Sequence, residues 1–269
     1  MRVGFNVLLW TSSATEEHLG LLDDIKSWGY DGVEFPMFAH DCSPWETLAE
    51  KLDDLGLGRT VVTVVAPEAN PIAESPAVRE AGVAHLKACI DSCVVLGSKL
   101  LIGPLYAPCG ELVGRGRTDQ EWGWGIEALR EAAEHAAGAG VTLAIEPLNR
   151  FESYFITSSR EAAEFVDEVG HPNLRMMLDT FHANIEEKDP IAAIGAAGKR
   201  LVHFHVSEND RSTPGEGHIP WSRVFSALRE IGYDNWLTVE AFGRALPEVA
   251  AATCIWRDMM PSEEHLASN

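Results

Sequence analysis

The chain has 269 residues, enough for two domains of ordinary size or for one barrel of about 250 residues. Hydrophobic residues make up 46% of it, which is typical of a globular protein with a substantial buried core. The formal net charge of −20 argues against nucleic acid or an anionic membrane as a partner, because both require a basic surface, but it is compatible with a metal site.

Short β-rich runs alternate along the chain with longer amphipathic or alanine-rich segments. The runs predict strands at residues 3–10, 32–37, 60–66, 99–106, 141–148, 174–179, 201–208 and 236–242. Helices are predicted between them, for example at 15–29, 77–97, 119–140 and 222–232, and several end in glycine just before the next strand. This alternation predicts a single (β/α)8 TIM barrel covering 1–269 as one domain. A doubly wound open sheet is the alternative fold.

The remaining features concern the chain ends and the cysteines. The first residues contain an apolar run too short for a signal peptide, and no segment reaches the roughly 18 unbroken apolar residues of a membrane span. After the last strand, 243–269 must supply a closing helix, and 261–269 has the pattern of a further helix start.

The chain has five cysteines, namely Cys42, Cys89, Cys93, Cys109 and Cys254. They form no CxxC pair, and a reducing cytoplasm is the expected location. Cys89 and Cys93, four apart in a helix, are expected to be a packed pair of thiols.

The seventh predicted strand carries two histidines on one face. Successive side chains of a strand point to opposite faces. The row predicted to face the outer helices is apolar and consists of Val202, Phe204 and Val206. The row predicted to face the barrel axis consists of Leu201, His203, His205 and Ser207. His205 is nearer the barrel mouth, whereas His203 is one layer deeper and is expected to support or pack against a site rather than to bind a ligand.

Three other strands follow the same pattern and end with a carboxylate on the inner row. These carboxylates are Glu146, Asp179 and Glu240, and enzymes of this fold build their sites at the C-terminal ends of the strands. With His205, they are therefore predicted to meet at the ends of strands 5–8. Glu34, in the second strand, is also predicted to face the interior, but no role is assigned to it.

The predicted cluster has the composition of a metal site. Three carboxylates crowded in a site of low dielectric constant repel one another unless a cation compensates their charge. Three carboxylates and one imidazole suit one divalent cation, with Mn²⁺ the first expectation and Mg²⁺ or Co²⁺ as alternatives, and they do not exclude zinc. The loops just beyond these strands offer polar side chains suited to a small polar ligand, namely Glu152, His182 and Arg211.

Four segments of the second half carry a family resemblance. The segments AIEPLNRFE, MMLDTFHANIEE, HFHVSENDRSTPGEGHIPW and VEAF resemble, in order and spacing, the xylose isomerase-like superfamily of sugar epimerases and isomerases. Within that superfamily the chain is most similar to the ketose 3-epimerase group, which acts on D-tagatose and D-allulose. The resemblance implies that Glu146, Asp179, His205 and Glu240 are metal ligands. It further implies a homodimer or homotetramer.

The same resemblance implies specific roles in a reaction. Glu146 and Glu240 correspond to acid/base carboxylates, while Glu152, His182 and Arg211 correspond to groups that hold the oxygens near the reacting carbon. Inversion of a free ketose at C3 would then pass through a cis-enediolate, with the two carboxylates removing and returning a proton. A phosphorylated substrate is not favoured, because no glycine-rich loop opens a helix beside Lys or Arg.

Several alternatives remain at this point. The nearest is an aldose–ketose or hydroxypyruvate isomerase of the same superfamily, which would move a proton between C1 and C2. A dehydratase acting on a cyclic polyol would instead release water. A metal-dependent nuclease of the superfamily is disfavoured by the charge of −20. A non-catalytic sugar-binding barrel is disfavoured by the presence of both Glu146 and Glu240.

Overall fold

Eight parallel strands close into a barrel in the computed structural model, which describes residues 1–39 and 44–268. The order follows the sequence, and β8 pairs with β1. The strands are β1 Arg2–Asn6, β2 Gly32–Pro36, β3 Gly58–Val62, β4 Leu100–Gly103, β5 Thr142–Ile145, β6 Leu174–Asp179, β7 Leu201–Val206 and β8 Trp236–Val239. The predicted (β/α)8 barrel is confirmed, and the open-sheet alternative is excluded by the closure.

Helices cover the outside of the barrel and connect the strands. They are α1 Leu19–Ser27, α2 Trp45–Leu55, α3 Pro76–Leu96, α4 Asp119–Ala139, α5 Ser159–Val169, α6 Thr180–Glu186, α7 Pro190–Ala197, α8 Trp221–Glu230, α9 Pro247–Ala252 and α10 Glu263–Ser268. The predicted glycine stops are found after α3 and α4, where Gly97 and Gly140 adopt left-handed φ values of 78° and 68°. Across 1–39 and 44–268, no helix is long and apolar enough to cross a membrane.

The two short helices after β8 pack on the barrel. Leu266 and Ala267 of α10 are buried in one cluster with Phe5, Leu9 and Ala241. The helix start predicted near residue 261 therefore forms part of the fold.

Of the cysteines, Cys89 and Cys93 are buried as a pair on α3, as predicted, and Cys42 lies outside the described residues.

Several strands end earlier than predicted, for local reasons. β1 stops at Asn6 because the side-chain oxygen of Asn6 accepts a hydrogen bond from Leu8 N, at 2.9 Å, and turns the chain into a 3₁₀ turn, Val7–Leu9. β4 stops at Gly103, whose φ of 126° suits glycine and lets the chain pass close to the carbonyl of Thr63.

A β-bulge interrupts the alternation of β7. Met176 pairs with Leu201 and Met177 with His203, so Val202 has no partner in β6. Leu201 therefore packs in the outer core, and Val202 packs against the interior cluster. The predicted orientations of Leu201 and Val202 were wrong. The extra residue in the bulge reverses the inward and outward directions of the side chains that precede His203. His203 and His205 follow the bulge and face the interior as predicted.

The barrel interior is divided into an apolar floor and a polar upper half. An apolar cluster fills the floor and consists of Val62, Leu100, Ile102, Ala144, Met177 and Trp236. The indole of Trp236, on the first residue of β8, lies against the glycines that open β2 and β3. The buried polar side chains above it lie near the C-terminal ends of the strands. This arrangement confines the candidate chemistry to one end of the barrel.

We expect Gly32→Ala to destabilise the fold. A Cβ at Gly32 would lie 2.5 Å from both Gly58 O and Trp236 Cη2, so the indole or two strands must move. Overpacking of this kind costs about 1–3 kcal/mol. The control is Gly20→Ala on α1, where a Cβ meets nothing within 4 Å. Urea unfolding should show a lower free energy of unfolding for Gly32→Ala only; equal values for both variants would contradict the proposed packing.

Candidate active site

The four predicted cluster residues meet at the barrel mouth. Glu146 directly follows β5, Asp179 ends β6, His205 lies in β7 and Glu240 directly follows β8. His205 Nδ1 lies 3.4 Å from Glu240 Oε1, 3.6 Å from Asp179 Oδ2 and 4.0 Å from Glu146 Oε1. All four side chains are buried. The predicted convergence is therefore found in the structure.

Strand register and one buried tyrosine position these groups. Asp179 pairs directly with His205, and His205 pairs with Thr238, which places Glu240 two residues beyond that level. On the other side, the Tyr106 hydroxyl donates to the carbonyl oxygen of Glu146 at 2.7 Å. The chain after β5 is therefore held by a buried side chain from the β4–α4 loop.

The ring of His205 has a defined orientation. Its Nε2 lies 2.7 Å from Glu34 Oε1, within hydrogen-bonding distance. Its Nδ1 is buried, has no hydrogen-bond partner within the described part of the chain, and faces the three carboxylates. The alternation of β2 predicts that Glu34 faces the barrel interior, as is found, but it does not predict this contact with His205.

His203 lies one layer below the cluster, as predicted. It is fully buried, and its Nε2 lies 2.8 Å from Glu34 Oε2. The ring is 5.1 Å from that of His205, centroid to centroid. His203 thus contacts the far side of Glu34 rather than the carboxylates at the mouth.

Arg211 reaches into the cluster from the loop after β7. Its Nη1 donates to Asp179 Oδ2 at 2.9 Å and also to Glu240 Oε2. The guanidinium carbon lies 4.1 Å from the ring centroid of Phe181 and 4.9 Å from that of Phe242. Arg211 has a φ of 66°, a left-handed conformation that is uncommon for a residue with a side chain. The predicted substrate-binding arginine is therefore in direct contact with two of the predicted metal ligands.

The other two predicted substrate contacts are linked to this group by an asparagine. His182 Nε2 lies 3.0 Å from Arg211 Nη2 and 3.7 Å from Glu146 Oε1. His182 Nδ1 accepts a hydrogen bond from Asn149 N, at 3.1 Å. The side-chain amide of Asn149 donates to Glu152 Oε1, at 2.6 Å. Asn149 was missed at the sequence level, although it lies within the AIEPLNRFE segment.

The pKa shifts at the mouth reflect burial acting together with, or against, the charges of neighbouring groups. Burial, together with the charges of Glu240 and Asp179, raises the pKa of Glu146 well above its usual range, even though His205 acts in the opposite direction. Burial also opposes ionisation of Asp179, but Arg211, His205 and His182 together outweigh it and hold the pKa of that carboxyl below its usual range. The carboxylates raise the pKa of His205 well above its usual value despite burial. These groups together favour an additional positive charge.

A divalent cation fits this donor set. One ligand atom from each of Asp179, His205 and Glu240 lies within 4.8 Å of the others, and the same holds for Glu146, Asp179 and His182. In the neutral form that metal binding requires, His205 offers a nitrogen lone pair on its unpartnered Nδ1, and the carboxylates offer oxygens of the type that Mn²⁺, Mg²⁺ and Co²⁺ bind. The cluster could therefore hold a metal ion.

Comparison with known proteins gives consistent matches along the whole chain. Residues 22–260 match the family described as a xylose isomerase-like TIM barrel. The chain is 30% identical to a probable ketose 3-epimerase of Synechocystis over 269 residues, which cover 100% of this chain and 94% of that protein. It is 31% identical to an L-ribulose 3-epimerase of Mesorhizobium japonicum, with coverage of 100% and 91%. A solved D-psicose 3-epimerase of Clostridium cellulolyticum with D-tagatose has a TM-score of 0.91 at 30% identity, with 99% and 94% covered.

We expect Mn²⁺ to stabilise the protein after removal of metal by a chelator. A ligand present at 100 times its Kd stabilises the folded state by about 2.7 kcal/mol, so the melting temperature should rise. Asp179→Asn should abolish most of that rise, because Asp179 Oδ2 is one of the cluster oxygens. The matched control is Asp167→Asn, an exposed carboxylate that pairs with Arg200 on the outside. Equal melting-temperature shifts in both variants, by differential scanning fluorimetry, would contradict the site.

Proposed function

The chain belongs to the xylose isomerase-like TIM barrel family, and from this we propose that it is a metal-dependent ketose 3-epimerase acting on a free ketose. The observation that carries the proposal is the convergence of Glu146, Asp179, His205 and Glu240 at the barrel mouth. The named activities of its relatives, ketose and L-ribulose 3-epimerases, support the reaction class. We further propose Mn²⁺ as the bound ion, held by these four residues.

The reaction requires removal of a weakly acidic proton next to a carbonyl group. A divalent cation in this site would supply Lewis-acid polarisation of the substrate's carbonyl and hydroxyl oxygens. Glu146 or Glu240 then removes the C3 proton, and the other carboxylate returns a proton to the opposite face of the enediolate. The two carboxylates are supplied by β5 and β8, which are separated around the rim by β6 and β7. This separation suits groups that act on two faces of one substrate.

The polar groups around the cluster are proposed to position the sugar. Arg211 contacts Glu240, His182 lies 3.7 Å from Glu146 Oε1, and both can donate to the oxygens on C1–C3. Glu152, joined to His182 through Asn149, can accept from a sugar hydroxyl group. Holding the reacting carbon within reach of a carboxylate in this way contributes several kcal/mol to lowering the barrier.

The reaction products separate epimerisation from isomerisation. With Mn²⁺ present, we expect D-tagatose, D-allulose and L-ribulose each to give the C3 epimer, although at different rates. Chromatography of the products against authentic standards measures this. Formation of an aldose from any of these ketoses would show proton movement between C1 and C2 and would contradict the proposed epimerase.

Single carboxylate variants test the two-base scheme. We expect Glu146→Gln and Glu240→Gln each to lower kcat for epimerisation by about 10²–10⁴-fold or more, since each loses one proton-transfer group. In D₂O, each variant that retains metal should exchange the C3 proton of only one of the two epimers, and the two variants should act on opposite epimers.

The control and the metal content complete this experiment. Glu131→Gln, on the outer surface of α4 where Glu131 pairs with Lys87, should leave turnover unchanged. Metal content per protein, by atomic emission, separates loss of a base from loss of a ligand. Near-normal epimerisation by either Glu146→Gln or Glu240→Gln would contradict the scheme.

A further inference from the structure

Glu34 is a fully buried carboxylate on β2 that the proposed reaction does not use. Each of its oxygens has close polar neighbours. Oε1 is within hydrogen-bonding distance of His205 Nε2, at 2.7 Å, and accepts from Asn6 Nδ2, at 3.1 Å. Oε2 accepts from Thr60 Oγ1, at 2.8 Å, and lies 2.8 Å from His203 Nε2. Side chains of β1, β3 and β7 therefore hold this carboxylate in one orientation.

The contact with Glu34 determines which nitrogen of His205 can bind a ligand. A neutral imidazole carries its proton on one nitrogen and a lone pair on the other. A carboxylate beside Nε2 favours the proton there and leaves the lone pair on Nδ1. Nδ1 is the nitrogen that faces the carboxylates of Asp179 and Glu240, at 3.6 and 3.4 Å. Without Glu34, either tautomer and other ring orientations become accessible.

Asn6 extends the same control to a second cluster residue. Its Nδ2 donates to Glu34 Oε1 and also to Glu240 Oε1, at 3.2 Å. Its Oδ1 accepts from Leu8 N, and this fixes which end of the amide points to the carboxylates. Glu34 is thus connected to His205 directly and to Glu240 through Asn6.

We propose that Glu34 is a positioning residue of the metal centre: it fixes the tautomer and orientation of His205 and, through Asn6, the carboxylate of Glu240. The inference rests on the proposed metal-dependent function. Carboxylates that accept from a metal-ligating histidine typically contribute 10–100-fold to metal affinity. Glu34 itself does not touch the substrate in this scheme.

Glu34→Gln tests the proposal through metal binding rather than turnover. Calorimetric titration of the chelator-treated protein with Mn²⁺ should give a Kd about 10–100-fold higher than that of the unsubstituted protein. The visible spectrum of the Co²⁺-loaded variant should also change, because it reports the ligand geometry at the ion. Turnover at saturating Mn²⁺ should recover in large part, since the four proposed ligands are retained.

A second variant and a matched control distinguish the proposed role of Glu34 from a general loss of folding. Thr60→Val removes one donor to Glu34 and keeps a β-branched side chain; its Kd for Mn²⁺ should rise about threefold or more. Glu121→Gln removes another buried carboxylate, which accepts from Arg115 and Thr118 at the start of α4, and should leave the Kd unchanged.

The outcomes distinguish this inference from the proposed function. If the unsubstituted protein does not bind Mn²⁺ or Co²⁺, the proposed metal-dependent function fails. If it binds Mn²⁺, but Glu34→Gln and Thr60→Val bind with the same Kd and the Co²⁺ spectrum of Glu34→Gln is unchanged, the function stands and the role of Glu34 is overturned. A fall in affinity equal to that of Glu121→Gln would likewise overturn it, because it would reflect general destabilisation.

Discussion

The structure depends on the compensation of buried negative charge at one end of the barrel. Glu146, Asp179 and Glu240 are withdrawn from water at the ends of neighbouring strands, and burial without compensation would be strongly unfavourable. Arg211 contributes one positive charge by direct contact with Asp179 and Glu240. Burial first, and then the charges of Glu240 and Asp179, still raise the pKa of Glu146 well above its usual range, so ionisation of this third carboxylate stays unfavourable without a further cation. Closure of the barrel thus brings together the donors that could hold the proposed cation.

The rest of the barrel makes that concentration of charge possible. Its lower half is filled by an apolar cluster that includes Trp236 and Met177, so the buried polar side chains of the interior lie in the upper half. The upper half then has a limited set of positions, each at the end of a strand whose register is fixed by its neighbours. The bulge at Val202 shifts the register between β6 and β7, but Asp179 still pairs directly with His205 beyond the bulge.

The sequence predicted the elements that follow from local periodicity. The inner rows of β5, β6 and β8 alternate without interruption, so the positions of Glu146, Asp179 and Glu240 followed from parity. The bulge at Val202 was not predictable in this way, because it depends on the pairing of β7 with β6. Glu34 illustrates the same limit: parity placed it inside the barrel, but its partners come from β1, β3 and β7, which are distant in sequence. Which side chains touch inside a barrel depends on how the eight strands pair and close. The residue pattern of a single strand does not contain that information.

The charge balance of the site also bears on the substrate. Three carboxylates, one guanidinium and one divalent cation together come close to neutrality, whereas a monovalent ion would leave the mouth negative. Glu152 adds a further negative charge nearby, linked through Asn149. A neutral polyhydroxylated sugar can enter such a site without a charge penalty, whereas a phosphate group would be repelled by the carboxylates of Asp179 and Glu240, which already share the charge of Arg211. The charge balance of the cluster thus favours the unphosphorylated ketose of the proposed function over a sugar phosphate.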